Sequence, residues 1–205
     1  MVSLNLPRSP RIYVGIVLAF VLWYFVFLTD FLVSFWFRVT LAAIILATYA
    51  YSSDEKKAQV KTPTAKEIVL GIASGILLYA LFFIGYHVFK PFVEAGALNV
   101  YEIRNEVALL FPACFLLITS FCEEYFWRGY IQSNLETSLD NLGVLVTALL
   151  YAAIHIPTLN MPLVFAALIA GLAWGIIYKY TDSIWMVTFS HIIWTELIFI
   201  FLPLK

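Results

Sequence analysis

The chain has 205 residues, of which 63% are hydrophobic and only 12% are charged, and its formal net charge is −1. A water-soluble domain carries about 25% charged residues, so this composition indicates a membrane protein. The near-neutral charge gives no electrostatic basis for binding a polyanion, and no nucleic-acid partner is expected.

Seven apolar stretches are long enough to cross a bilayer as helices, which takes about 20 residues each. They lie at 12–29, 31–51, 67–89, 107–128, 142–156, 162–179 and 184–202. The first two are separated by a short turn at 29–30, and the next two by the polar linker 52–66. Lys90-Pro91 ends the third span because proline cannot continue a helix there. The sequence predicts an all-α, polytopic transmembrane bundle of about seven spans, in a single integral-membrane domain covering 1–205.

Basic residues flank the predicted spans unequally, and the positive-inside rule converts this bias into an orientation. An N-terminus inside the cell places the larger set of lysines and arginines on the cytoplasmic side. That set is Arg8, Arg11, Lys56, Lys57, Lys61, Lys66 and Lys179. We therefore expect a multi-pass protein of the cell membrane with a cytoplasmic N-terminus and a retained first helix.

Few ionisable residues fall inside the predicted spans. Charged groups are unfavourable in hydrocarbon by roughly 2.5–3.5 kcal/mol each, and they usually face the bundle interior and pair with one another. The set is Glu123, Glu124 and Arg128 on span four, His155 on span five, and His191 with Glu196 on span seven, while His87 lies near the end of span three. Glutamate and two histidines from three helices predict a catalytic constellation, in which Glu196 has no assigned role.

Helical spacing separates the two adjacent glutamates of span four. Glu124 and Arg128 are four residues apart with the acid first, which is the favourable order for an ion pair. Glu123 lies about 100° further round the helix, so it can face a cavity and act as a general base. The alternative is that all three charges only fix helix packing.

Two further four-residue spacings involve the histidines. Tyr151 precedes His155 by one helical turn and can pack on the imidazole ring or hydrogen-bond to it. Thr195 follows His191 by one turn and places a hydroxyl beside the ring, an arrangement that suits a developing oxyanion.

Glu123, His191 and His155 can form one site only if their side chains lie at similar depths in the membrane. With span four ending at 128, Glu123 and His191 lie about 10 Å from the inner face, whereas His155 lies about 20 Å from it, at 1.5 Å per residue. The three side chains meet if span five tilts or if residues 129–141 enter the bilayer. A wrong boundary for span five is the third explanation.

Taken in order, these motifs resemble the CPBP group, the CAAX prenyl proteases and bacteriocin-processing proteins often called Abi. The resemblance covers roughly 107–200 and is carried by Glu-Glu-x-x-x-Arg at 123–128, Tyr-x-x-x-His at 151–155 and His-x-x-x-Thr at 191–195. It implies a glutamic intramembrane endopeptidase that needs no metal and no cofactor. The expected partners are the lipid bilayer and a membrane-anchored protein or peptide substrate.

The resemblance also implies residue roles. Glu123 would activate a water molecule with help from His155, and Glu124 and Arg128 would support the site. His191 and Thr195 would bind the oxyanion. In two places the chain departs from the family pattern. Tyr151 stands where phenylalanine is usual, and Thr195 stands where asparagine is usual, so an amide donor has become a hydroxyl.

Three other functions remain open. Two glutamates and two histidines suit a metal-dependent membrane hydrolase, although no His-Glu-x-x-His helix is present and Arg128 beside the acids disfavours a cation. An acyl transferase could use the same site, because water activation and oxyanion binding serve both reactions. A non-catalytic membrane scaffold or immunity protein could keep the fold alone.

Overall fold

A computed structural model describes residues 7–29, 34–104 and 107–204, which form a helical bundle with no strand in these ranges. The predicted all-α class is confirmed. Part of the predicted turn at 29–30 lies outside the described residues. The helices are α1 (Pro10–Leu28), α2 (Phe35–Ser52), α3 (Ala65–Val88), α4 (Lys90–Arg104), α5 (Leu110–Phe126), α6 (Ser133–Leu139), α7 (Asn141–Ala153), α8 (Met161–Thr181) and α9 (Ile184–Thr195). Two π-helical segments, Trp127–Gln132 and Glu196–Phe201, continue α5 and α9, and a 3₁₀ turn spans Ile156–Thr158.

Seven helical stretches within the described ranges are long and apolar enough to cross a membrane. They are Pro10–Leu28, Phe35–Ser52, Ala65–Val88, Leu110–Leu139, Asn141–Thr158, Met161–Thr181 and Ile184–Phe201. These bounds agree with the predicted spans to within a few residues, except at the end of the fourth. The chain is a multi-pass membrane protein.

The predicted end of span four at 128 is wrong, because the helical stretch continues to Leu139. α5 passes directly into the π-helical segment and then into α6. Two polar residues that follow 128, Gln132 and Asn134, are buried and bonded inside the bundle. Gln132 Nε2 donates to the carbonyl of Gly175 at 2.8 Å, and Asn134 Nδ2 donates to the carbonyl of Tyr130 at 2.7 Å. Polar side chains satisfied in this way do not end a span.

The polar linker between α2 and α3 packs against the π-helical segment that follows α5. The Ala58 amide donates to the carbonyl of Gly129 at 2.8 Å, and the Trp185 indole donates to the carbonyl of Lys61. A Cβ added at Gly129 would lie 2.9 Å from the Cβ of Ala58. Glycine at this position therefore allows the linker to approach the helix that carries the acidic pair.

α3 and α9 begin side by side and are joined by one carboxylate. Thr64 and Glu67 form a capping box at the start of α3, with the Thr64 amide donating to the Glu67 carboxylate at 2.7 Å. Ser183 accepts from the Met186 amide at the start of α9 and donates to Glu67 Oε1 at 2.5 Å. This contact fixes the position of α9, the helix that carries His191.

Glycines on α3 allow it to pack closely on α9. A Cβ at Gly75 would lie 2.6 Å from the carbonyl oxygen of Ser190, and one at Gly71 would lie 2.8 Å from that of Met186. Both distances are shorter than van der Waals contact, so no larger residue fits unless the helices separate. Small residues thus bring the two helix backbones together, as in many membrane bundles.

α4 is a helix that the sequence did not predict. α3 ends before Lys90-Pro91 as predicted, but the chain then starts a new helix, because proline is tolerated in a first turn. The Asn160 amide donates to the carbonyl of Gly96 at 2.8 Å, and the Trp36 indole donates to that of Ile103 at 3.2 Å. These bonds hold α4 against α2 and the start of α8.

Candidate active site

A buried ion pair lies at the centre of the bundle. Arg128 Nη1 lies 3.1 Å from Glu124 Oε1, and both side chains are fully buried. Arg128 Nη2 donates to the carbonyl of Gly171 at 3.1 Å, and its guanidinium carbon lies 4.9 Å from the centre of the Tyr151 ring and 5.3 Å from that of Trp174. The ion pair predicted from the four-residue spacing is confirmed.

Glu124 also contacts a histidine from another helix. His191 Nδ1 lies 2.7 Å from Glu124 Oε1, and the imidazole stacks on Trp174 with ring centres 3.9 Å apart. A carboxylate that accepts a hydrogen bond from one ring nitrogen fixes both the tautomer and the orientation of the ring. With Nδ1 bonded to Glu124, Nε2 is the nitrogen of His191 that can meet a substrate.

Glu123 faces a different environment from its neighbour. It lines a cavity, and its Oε2 accepts a hydrogen bond of 2.8 Å from the hydroxyl of Tyr151. The predicted separation of the two glutamates is therefore present: Glu124 contacts Arg128 and His191, whereas Glu123 faces the cavity.

The cavity has a volume of about 130 Å³, which is enough for water molecules, and its walls are mostly apolar. Residues from α1, α2, α4, α5, α7, α8 and α9 line it. Its polar residues are Thr119, Ser120, Glu123, Tyr151, His155, His191 and Thr195, and its aromatic residues include Trp23, Phe27, Trp36, Trp174, Trp194 and Phe199. Four of the six candidate residues line this cavity, namely Glu123, His155, His191 and Thr195. The other two contact its lining: Glu124 contacts His191, and Arg128 lies against the rings of Tyr151 and Trp174.

His155 lies two residues after the end of α7 and lines the same cavity. Its Nδ1 lies 2.9 Å from the carbonyl oxygen of Tyr151, and the Tyr151 and His155 rings meet edge to face at 5.4 Å. The predicted packing of the tyrosine on the imidazole is confirmed. Within the described ranges no hydrogen bond joins His155 to Glu123, so its help in water activation stays a prediction.

Counted along the chain, Glu123 and His155 have similar offsets from the connection between α6 and α7. Glu123 lies 16 residues before Leu139, and His155 lies 14 residues after Asn141. At 1.5 Å per residue these offsets are about 24 and 21 Å. Residues 129–139 belong to the fourth helical stretch that is long and apolar enough to cross a membrane.

Thr195 lines the cavity, but its hydroxyl is engaged within its own helix. Thr195 Oγ1 donates to the carbonyl of His191 at 2.9 Å and to that of Ile192 at 3.1 Å. Threonine hydroxyls commonly bond the preceding turn in this way. To bind an oxyanion, this hydroxyl would have to leave the helix backbone.

The hydrogen bond from Tyr151 to Glu123 was missed in the sequence. The residues are 28 positions apart on different helices, so spacing within one helix gives no sign of it. The one hint of this bond in the sequence was the hydroxyl of Tyr151, because the CPBP group usually has phenylalanine at this position.

Two features remain: the possible metal ligands and the buried Glu196. Among the residues that the structure describes, no group of three or more His, Cys, Asp or Glu side chains is placed to hold a metal ion. Glu196 is buried, and its Oε1 has no hydrogen-bond partner in the described ranges. It lies outside the cavity lining, so the structure adds no role for it.

A family model described as type II CAAX prenyl endopeptidase Rce1-like matches residues 105–196. Over these residues, which make up slightly less than half of the chain, the sequence is similar to the Rce1-like family. This region contains all six candidate residues, and the match confirms the resemblance to the CAAX prenyl proteases inferred from three short motifs. At the level of the family, the Rce1-like region supports a CAAX-protease-like membrane enzyme. No match was found among curated proteins or among solved structures.

Proposed function

We propose that this protein is an intramembrane endopeptidase that hydrolyses a peptide bond of a membrane-anchored protein or peptide with water activated by Glu123. The observation that carries the proposal is the contrast between adjacent glutamates. Glu124 is held by Arg128 and His191, whereas Glu123 faces a cavity large enough for water. A carboxylate next to water in an apolar, enclosed space is suited to general base catalysis.

The proposed reaction balances with one water molecule. Glu123 takes a proton from the water as its oxygen attacks the carbonyl carbon of the peptide bond, and the carbonyl oxygen becomes an oxyanion. Glu123 then gives the proton to the leaving nitrogen as the carbon–nitrogen bond breaks. The products are a new carboxyl group and a new amine, and Glu123 returns to its carboxylate form.

Two histidines have distinct places in this reaction. We assign Nε2 of His191 to the carbonyl oxygen, because Glu124 and Trp174 hold the ring at the cavity. Nε2 donates to the oxyanion when the ring carries a proton on both nitrogens, with Nδ1–H bonded to Glu124. We assign Nε2 of His155 to the attacking water, because its Nδ1 is bonded to the backbone of Tyr151. Fixed rings of this kind do not need to reorganise as charge develops.

The family description suggests the first substrate to test. A CAAX sequence ends a protein with a prenylated cysteine, two aliphatic residues and a variable residue. The mostly apolar, aromatic cavity fits aliphatic side chains beside the cleaved bond. We place the protein in the cell membrane with its N-terminus in the cytoplasm, on the basis of its flanking basic residues.

The test is cleavage of a fluorescent farnesylated CAAX peptide by purified protein in lipid nanodiscs, in H₂¹⁸O, with and without a strong chelator. We expect release of the terminal tripeptide, one ¹⁸O in the new carboxyl group and an unchanged rate after chelation. A rate that is lost on chelation and restored by zinc would support a metal-dependent hydrolase instead. Transfer of the peptide to an added amine without ¹⁸O would support an acyl transferase.

Tyr151 acts in this proposal as a positioning residue for Glu123. Tyr151→Phe removes the hydroxyl bonded to Oε2 and keeps the ring against His155 and Arg128. We expect kcat to fall about tenfold with KM unchanged, because a hydrogen bond to a charged group is lost without a change in cavity shape. Steady-state kinetics on the farnesylated peptide measures both constants.

Tyr178→Phe is the matched control for this variant. The Tyr178 hydroxyl is also buried and lies 3.2 Å from Ser133 Oγ, but Tyr178 does not line the cavity. Its loss should leave kcat unchanged. Equal kcat values for the two variants would remove Tyr151 from the mechanism.

A further inference from the structure

A peptide that enters this cavity needs hydrogen-bond donors. Its backbone carbonyl oxygens leave water when they enter an apolar space inside the bilayer, and an unpaired carbonyl is strongly unfavourable there. The protein must therefore supply N–H or O–H groups beside the bond that is cleaved.

Most side-chain donors around the cavity already have partners. The hydroxyls of Tyr151 and Thr195 are bonded to Glu123 and to the α9 backbone, as described above. Three more donors already have protein partners: Thr119 with Thr40, the Trp36 indole with Ile103, and the Trp174 indole with Ser190. These groups are unavailable to a substrate unless they break bonds of the fold.

Two residues that line the cavity, Ser120 and Trp194, carry donors without hydrogen-bond partners among the described residues. Ser120 is 1% exposed and Trp194 is 8% exposed, and the donor atoms are Ser120 Oγ and Trp194 Nε1. Buried donors without partners are rare in native proteins and unfavourable to stability. Each lies one helical turn from a site residue on its own helix: Ser120 precedes Glu123 by three positions, and Trp194 follows His191 by three.

We infer that Ser120 and Trp194 form a subsite that donates hydrogen bonds to backbone carbonyl oxygens of the bound peptide, on either side of Glu123 and His191. The inference rests on the proposed function, since it assigns a peptide ligand to the same cavity. An indole N–H can only donate, so the Trp194 side of the subsite takes an acceptor such as a carbonyl oxygen. α5 and α9 thus each contribute one reacting group and one donor for the substrate backbone.

Matched variants test the subsite. Trp194→Phe removes the unpartnered indole N–H of a cavity-lining residue, and Trp127→Phe removes that of a buried tryptophan that does not line the cavity. Ser120→Ala and Thr188→Val form the second pair, because the Thr188 hydroxyl is also buried without a partner in the described ranges and lies outside the lining.

Binding is measured by fluorescence anisotropy of the farnesylated CAAX peptide, with each variant made in the non-cleaving Glu123→Gln protein. We expect Kd to rise five- to tenfold for Trp194→Phe and for Ser120→Ala, and by less than twofold for their controls. Melting temperatures should not fall for Ser120→Ala, because an unpartnered donor does not stabilise the fold. Equal Kd values within each pair would overturn the inference.

The two proposals fail separately in this design. If the protein with an intact Glu123 cleaves no peptide but the Kd differences remain, the protease proposal is rejected and the subsite stands as a peptide-binding site. If cleavage depends on Glu123 but the paired variants bind alike, the subsite is rejected and the protease proposal stands.

Discussion

Glu123→Gln should lower the rate of peptide cleavage at least about a thousandfold, within the range for loss of a general base. Glutamine has the shape of glutamate, and its amide oxygen can still accept the Tyr151 hydroxyl, so the fold should be retained. The amide cannot take a proton from water. The measurement is single-turnover cleavage of the farnesylated peptide in nanodiscs, with the melting temperature recorded on the same sample.

Glu196→Gln is the control for this change. Glu196 is also a buried glutamate, it follows α9 rather than lying on α5, and it is outside the cavity lining. Its substitution should leave the cleavage rate within about twofold, the difference expected from less than 0.5 kcal/mol. If Glu123→Gln keeps more than a tenth of the activity, Glu123 is not the base and the proposed mechanism fails.

The same pair of proteins identifies natural substrates. Cells that carry Glu123→Gln in place of the intact residue should accumulate uncut precursors in their membranes, which mass spectrometry of membrane peptides detects. The absence of any difference between Glu123→Gln and intact cells, together with no cleavage in nanodiscs, would favour a non-catalytic scaffold.

The number of spans could be predicted because length and hydropathy are local properties of the sequence. The end of the fourth span could not, because it depends on tertiary contacts. Gln132 is polar in the sequence, but its amide is bonded to Gly175 on α8, and no local pattern reveals that partner. α4 was missed for a related reason, since Asn160 and Trp36 hold it in place through contacts distant in sequence.

In the site, too, contacts within one helix could be predicted from the sequence, whereas contacts between helices could not. The Glu124–Arg128 pair follows from four-residue spacing, which is why the sequence predicts it. The contacts of Glu124 with His191 and of Glu123 with Tyr151 join different helices, so only the fold shows them. The resemblance to a family brought Glu123, His155 and His191 together in advance, whereas spacing alone left their meeting conditional on depth.

Breaking the buried Glu124–Arg128 ion pair should strongly lower the stability of the protein. Arg128→Met should destabilise the protein by about 3–5 kcal/mol, because it leaves the fully buried carboxylate of Glu124 without its cation. It also removes the hydrogen bond to the carbonyl of Gly171. Equilibrium unfolding in mixed detergent micelles measures the loss. Cleavage should fall as well, since Glu124 holds His191 at the cavity.

Two comparisons separate the buried charge from lost packing. Adding Glu124→Gln to Arg128→Met removes the unpaired charge, and the double variant should recover part of the lost stability. Lys90→Met breaks an exposed pair of the same four-residue spacing, 3.4 Å from Glu94, and should change stability by less than about 1 kcal/mol. If Arg128→Met and Lys90→Met lose similar stability, burial does not govern the Glu124–Arg128 pair. The pair would then not be the support that keeps Glu124 available to His191.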